Sequence, residues 1–387
     1  MKRPLLSIVI PTKNRQKYAL SIIQTILSIK DYALELVIQD NSDTNELENS
    51  IKNNIIDKRL KYNYDSSPMS TIHNFNNSMD NVEGKYICYI GDDDGVSLDI
   101  MQFVKWMDRN KIDALIGKNV CSYSWPSDKT NGKLTIYPFS GKIKVLDVND
   151  QIKKFIKNGA VYYLKFGLAK VYHGIIKKEC IERSKLKTGN YFGGLSPDIY
   201  ASIATSLEVE KLIEIDYPLT IAGSSFESDK THRTNEAKNL ELKDAPHFNH
   251  RGKYNWSKLV PSIYSGASIW AESGIKALEE SNRFDLISDI NKYRLGAYIA
   301  LDSPHNKKKI TSYLYHYKIE LLNYYLIKYF ILLESFFSRF FNRINKVIKN
   351  NKTYSNNIES IGLAIKEIDV YCNEKNLNFE NILKEKL

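Results

Sequence analysis

Tyr86-Ile87-Cys88-Tyr89-Ile90-Gly91-Asp92-Asp93-Asp94-Gly95 is an apolar, β-prone run that stops abruptly at three carboxylates bracketed by glycines. In an open α/β sheet, ligands bind just beyond the carboxyl ends of the strands, so these acids are expected in a ligand crevice. Three adjacent carboxylates repel one another, and folding gains little from crowding them. A divalent cation would remove the repulsion, because hard ions such as Mg2+ take carboxylate oxygens together with substrate phosphates. Taken alone, the run also reads as a solvated acidic turn.

The residues upstream favour the crevice. Leu5 to Ile10 is an almost continuous apolar run, the pattern of a strand buried on both faces. It ends at Pro11-Thr12-Lys13-Asn14-Arg15, and Leu20, Ile23 and Leu27 then recur at helical spacing. A second strand, Leu34 to Gln39, runs into Asp40-Asn41-Ser42-Asp43. A third is expected at Leu60 to Tyr64, followed by a helix around Ile72 to Met79. Strands alternating with helices predict a mainly parallel sheet covered on both faces.

In order and spacing, Ser7 to Arg15, Val37 to Ser42, Glu83 to Ile87 and Gly91 to Asp94 resemble the family 2 glycosyltransferases of GT-A fold, of the bacterial surface-polysaccharide type. The resemblance covers the first hundred residues well and fades beyond them. It implies a Rossmann-like, mainly parallel α/β domain that binds a nucleotide-sugar donor, expected to be a UDP-sugar. By the same resemblance Pro11, Thr12, Asn14 and Arg15 would border the nucleotide and its ribose. Asp40 would accept a hydrogen bond from the base, which suits the ring N–H of uracil. Asp92 and Asp94 would hold Mn2+ or Mg2+ and the ribose, and Asp93 would face the donor sugar. Many members carry Arg-Asn where this chain has Phe75-Asn76; Asn76 keeps a donor-binding expectation, and one cation is missing.

A transferase also needs a group to remove the acceptor proton. Asp198 follows Ser196 and Pro197, a good N-cap and a good first helical residue, so it opens the helix expected to Leu207. It lies 104 residues after Asp94, near the family's spacing for the catalytic base. Its other reading is an acid favoured by the helix dipole. Tyr217 to Ser225 reads as a strand leaving the core, and in the polar loop after it His232 or Arg233 is a candidate for the diphosphate, His232 as a metal ligand. Trp125 and Tyr162-Tyr163 are candidates for a sugar-stacking platform and equally for core.

The 387 residues are 43% hydrophobic and 26% charged, ordinary for a globular protein, with a net charge of +10. Cys88, Cys121, Cys180 and Cys372 are far apart, which points to neither a zinc site nor a disulfide framework. No stretch reaches the length expected of a membrane span, so the expected location is cytoplasmic, with any membrane contact peripheral at the inner face. From about Pro261 the chain turns helical. Between His305 and Lys349 nine Lys or Arg face only Glu320 and Glu334, while Phe330, Leu333, Phe337, Phe340, Phe341, Ile344 and Ile348 recur at helical spacing. Such a segment either packs on protein, including a second copy, or lies on a membrane; packing is the expectation. Nucleic-acid binding is not, because no recognised motif accompanies the basic residues.

The expected layout is a catalytic domain over 1–225, a polar connection over 226–260 and a helical extension over 261–387. The expected activity is metal-dependent, inverting transfer of a sugar from a nucleotide donor to an oligosaccharide or lipid-linked glycan. A non-catalytic sugar-nucleotide-binding or membrane-associated protein of the same fold is the alternative. A nucleotidyltransferase is disfavoured because no glycine, and so no glycine-rich phosphate loop, occurs before position 84.

Overall fold

A computed structural model describes residues 3–128, 131–225, 241–348 and 353–384. Strands β1 (Leu6–Thr12), β2 (Leu34–Asp40), β3 (Leu60–Tyr64) and β4 (Tyr86–Tyr89) run parallel in the order β3-β2-β1-β4. Every residue of β1 and β2 is buried, as their unbroken apolar runs require. Alternation along β1 sends Ile8 and Ile10 into one core layer and Val9 into the other. Each such fully buried aliphatic side chain contributes about 1.5–3 kcal/mol relative to exposure.

Helices α1 (Gln16–Leu27), α2 (Glu46–Asn54) and α3 (Thr71–Ser78) make the crossovers, and α4 (Ile100–Arg109) leads on from the aspartates. Ile22, Ile23 and Ile26 of α1 are fully buried on the layer of Ile8. Beyond β4 the sheet stops being purely parallel. The short strand β10 (Gly174–Lys177) inserts antiparallel between β4 and β6 (Ala114–Gly117), and β11 (Leu212–Ile215) and β9 (Ile143–Leu146) complete eight strands.

A second sheet of five strands runs in the order β13 (Thr353–Asn356), β8 (Lys133–Ile136), β7 (Cys121–Ser124), β12 (Thr220–Ser224), β5 (Gly95–Val96). The strand expected around Tyr217 to Ser225 is therefore β12, laid across the aspartate turn. Helices α5 (Val148–Lys157), α6 (Lys178–Thr188) and α7 (Pro197–Ser206) cover the far side of the large sheet.

The helices after Pro261 do not form one body. Gly266–Glu280 packs on α7, and Lys292–Asp302 packs on both Gly266–Glu280 and the long helix Leu321–Ile348. From Thr353 the chain returns to the amino-terminal half. β13 pairs antiparallel with β8, and helix Ile361–Glu374 lies against α1 and β5. Residues 353–384, grouped by sequence with the extension, thus complete the small sheet and the core layer of Ile8.

Candidate functional site

The carboxyl ends of β1, β2 and β4 open into a cleft of about 290 Å3. Pro11, Thr12, Lys13 and Arg15 line it from the end of β1, Asn41 from the exit of β2, and Ser70, Thr71, Asn74 and Phe75 from the start of α3. Met69, Gly91, Asp92, Asp93 and Tyr172 complete the lining.

Asp92 and Asp93 are only 4% and 6% exposed. Two buried carboxylates need counter-charge or protons, and one side chain supplies the charge to both. Arg15 Nε lies 3.1 Å from Asp92 Oδ1, and another guanidinium nitrogen pairs with Asp93. Thr12 Oγ1 donates to Asp92 Oδ2 at 2.6 Å, and the Ser225 amide donates to Asp93 at 3.2 Å. Burial pushes the Asp92 carboxyl up to about 7 against the pull of Arg15, with Asp93 adding to the push.

Asp94, expected as a metal ligand, does not line the cleft. Its oxygens accept from the amides of Gly91 and Gly223 and from the Tyr172 hydroxyl, each at 2.7 Å, and His173 Nε2 lies 3.2 Å away. Burial opposes ionisation here, yet the His173 imidazole and these donors hold the carboxyl below its ordinary value. Asp94 therefore ties the aspartate turn to β12 and to Tyr172-His173. The approach is close: a Cβ on Gly223 would lie 1.8 Å from the Asp93 carbonyl oxygen, so only glycine fits.

Several other expected residues serve the frame around the cleft. Asp40 is fully buried; the Ser42 amide donates to one oxygen at 2.8 Å and the Tyr62 hydroxyl to the other at 2.6 Å. Its neighbour Asn41 faces the cleft instead. Asn14, at φ +57°, clasps the loop after β2, with its side-chain amide bonded to Asp43 in both directions at 2.7 and 2.9 Å. Asn76 points away from the donor side: its amide donates to the Phe192 carbonyl at 2.8 Å, and its oxygen accepts from the amides of Tyr191 and Phe192. Trp125 is core, packed on Tyr18 and Tyr123 and donating to the Asp93 carbonyl at 2.8 Å. Tyr162 packs edge-on against Trp270 and Tyr298. His232 and Arg233 lie outside the described residues.

Asp198 opens α7 as expected but stands outside the cleft lining. Half-buried, it accepts from the Tyr163 hydroxyl at 2.7 Å and from Ser196. Its loop is fastened from two sides. Asn76 of α3 holds residues 191–192, and Ser273 of the helical region accepts from the amides of Leu195 and Ser196 at 3.1 and 2.9 Å.

Among the residues that sequence reasoning missed are Tyr172 and Asn74, and Asn74 is the one with an open polar atom. It is 6% exposed and lines the cleft, its amide reaching the Thr12 carbonyl at 3.3 Å. Its side-chain oxygen has no hydrogen-bond partner among the described residues. The available signal was its place in the first turn of a helix capped by Ser70, on the crevice side of the sheet.

Among the described residues no group of three or more His, Cys, Asp or Glu could hold a metal. Mg2+-type ions, however, bind through one or two carboxylates plus substrate phosphates rather than through an all-protein cage. The hard oxygens of Asp92 and Asp93, buried and facing the cleft, fit such an ion.

Comparison with known proteins bears on this site. Residues 7–164 match the family described as glycosyl transferase family 2. Similar solved structures include S. aureus TarS, at 15% identity and TM-score 0.42, covering 62% of this chain and 40% of that one. S. aureus TarS 1–349 in complex with UDP-GlcNAc matches at 12% identity and TM-score 0.45, covering 80% and 89%; the UDP complex matches at 14% and 0.43, covering 82% and 93%. The chain thus spans well under half of the longer TarS chain. No curated protein matches. The family match runs from β1 through the aspartate turn and takes in most of the cleft lining, so over residues 7–164, less than half of its length, the chain is similar to glycosyl transferase family 2.

Proposed function

We propose that the protein is an inverting glycosyltransferase that moves a sugar from a nucleoside diphosphate donor, a UDP-sugar, to a hydroxyl of a glycan or lipid-linked acceptor. One observation carries the reading. A pair of buried acids, Asp92 and Asp93, floors an open cleft at the strand ends and, among the described residues, shares one cation, Arg15. Isolated buried charge is costly unless paired, and in an α/β crevice such a pair is well placed to meet a polar ligand.

In this reading Thr12 holds Asp92 in place and Arg15 meets the donor's negative charge. Asn74 offers its unpartnered oxygen to a donor N–H or O–H. Asp92 and Asp93 would hold Mn2+ or Mg2+, which when bound supplies Lewis-acid neutralisation of the leaving diphosphate. Asp94 keeps the turn rigid. Asp198 is the proposed general base. It would take the proton of the acceptor hydroxyl while that oxygen bonds to the anomeric carbon and the bond to the diphosphate breaks on the opposite face. What supports Asp198 is its fixed orientation by Tyr163 and a loop anchored to α3, which lines the cleft.

The test is a panel of nucleoside diphosphates and their sugars, read by thermal stabilisation and by diphosphate release with Mn2+. UDP and one UDP-sugar are expected to raise Tm more than the GDP compounds do. A GDP preference would overturn the choice of base. Stabilisation by none of them, with no release, would overturn the enzyme reading.

A further inference from the structure

Helix Leu321–Ile348 is apolar on two opposite faces. Tyr324 and Ile331 are buried on the side packed against Lys292–Asp302. On the other side Leu322, Tyr325, Leu326, Tyr329 and Phe330 follow one another at i, i+3, i+4, i+7 and i+8. They are 74%, 60%, 49%, 60% and 60% exposed. An amphipathic helix on a folded protein turns a polar face to water, and a contiguous exposed apolar stripe marks a docking surface.

The stripe has basic company. Between Lys307–His316 and Leu321–Ile348 lies a cleft of about 360 Å3, lined by Lys307 and Lys328 with Thr311 and by Tyr325 of the stripe itself. Lys308, Lys309 and Lys318 are exposed on the same part of the chain, and Tyr315 beside them is 87% exposed.

We propose that this face docks on an anionic lipid bilayer. The helix lies along the surface with Leu322, Leu326, Tyr329 and Phe330 at the acyl boundary and Lys307 and Lys328 at the level of the lipid phosphates. Charge selects this occupant. Residues 305–349 carry nine Lys or Arg against two acids, so a two-fold contact with a second copy would set like charge against like. Anionic headgroups complement it. Among the described residues no helix is long and apolar enough to cross a membrane, which agrees with a helix lying in the interface. The surface stands apart from the donor cleft, and lipid binding neither requires nor tests sugar transfer.

The full chain should be sedimented with phosphatidylcholine vesicles and with mixed phosphatidylcholine–phosphatidylglycerol vesicles. The mixed vesicles are expected to bind it at least roughly tenfold better, with salt weakening the difference. Combined Leu326→Gln, Tyr329→Gln and Phe330→Gln should abolish binding to both while the melting curve stays in place. Lys307→Glu with Lys328→Glu should remove only the preference for anionic lipid. Equal partitioning of the unaltered chain into both vesicles would overturn the proposal. So would a dimer in sedimentation velocity that the triple variant converts to monomer, because the face would then belong to a second copy.

Discussion

Two regions of this molecule invert the usual distribution of side chains, in opposite directions. At the ends of β1 and β4, three carboxylates sit 3–6% exposed inside the protein. On helix Leu321–Ile348, leucines, tyrosines and a phenylalanine stand about half to three-quarters exposed. The first arrangement is stable because every buried charge has a named partner: Arg15 for Asp92 and Asp93, His173 and three donors for Asp94. The second costs solubility and has no partner of its own within the described fold. Buried polar groups and exposed apolar patches are the informative departures from ordinary burial, and here the two lie in different parts of the chain. One surface suits a charged small molecule and the other an apolar boundary.

The largest expected effect attacks the rigidity of the first region. Gly223→Ala forces a Cβ onto the Asp93 carbonyl. It should cost about 3 kcal/mol or more in urea unfolding and abolish turnover. A variant with unchanged stability would mean that β12 does not clamp the aspartate turn.

Next comes the proposed base. Asp198→Asn should lower kcat by roughly 10²-fold or more with donor affinity unchanged. An equal fall in donor affinity would reassign Asp198 to holding the loop against Tyr163.

A smaller effect separates the cleft acids from an acid in the helical region. Glu272 is fully buried and accepts from Tyr254 and from the Ser257 amide, both at 3.0 Å. Burial pushes its carboxyl up to about 7. The folded pKa lies above the unfolded one, so the fold favours the neutral acid. That stability is fully present below about pH 4.5 and is lost as the pH rises to about 7, at up to about 1.4 kcal/mol per unit. Glu272→Gln should therefore flatten the fall in Tm across that window and raise Tm at pH 8. An unchanged pH profile would show the group ionised in the fold. The smallest effect belongs to the exposed stripe: Tyr329→Gln alone should change stability by less than about 0.5 kcal/mol, since nothing among the described residues covers it.

The sequence made β1, β2, β3, β4 and helices α1 and α3 legible, because long buried runs and helical periodicity leave a local record; α2 was not read. The antiparallel strand Gly174–Lys177 left almost none; four residues between two other strands carry too little pattern. The return of Thr353–Asn356 to β8 was hidden for a different reason. Its partner lies some two hundred residues away, and its own residues are polar. Within the site, Thr12, Arg15, Asp92 and Asp93 were legible from the strand-end motif. Asp40, Asn76 and Asp94 sit in equally suggestive positions yet spend their polar atoms on Tyr62, Phe192 and Tyr172. A committed acid and an open one look alike in a string of letters. Asn74 was missed because its one signal, a place in the first turn of a short helix on the crevice side, is weak until its neighbours are known.

The most direct measurement is donor turnover by Asp92→Asn beside the unaltered chain, with UDP-sugar and Mn2+, followed by both melting curves. Thr12 can still donate to the amide oxygen, so the fold should hold and Tm should stay within a few degrees. Expected is a loss of at least roughly 10²-fold in kcat/KM, about 2.7 kcal/mol of transition-state stabilisation. Full turnover by a stable Asp92→Asn protein would contradict the assignment of this cleft as the donor site.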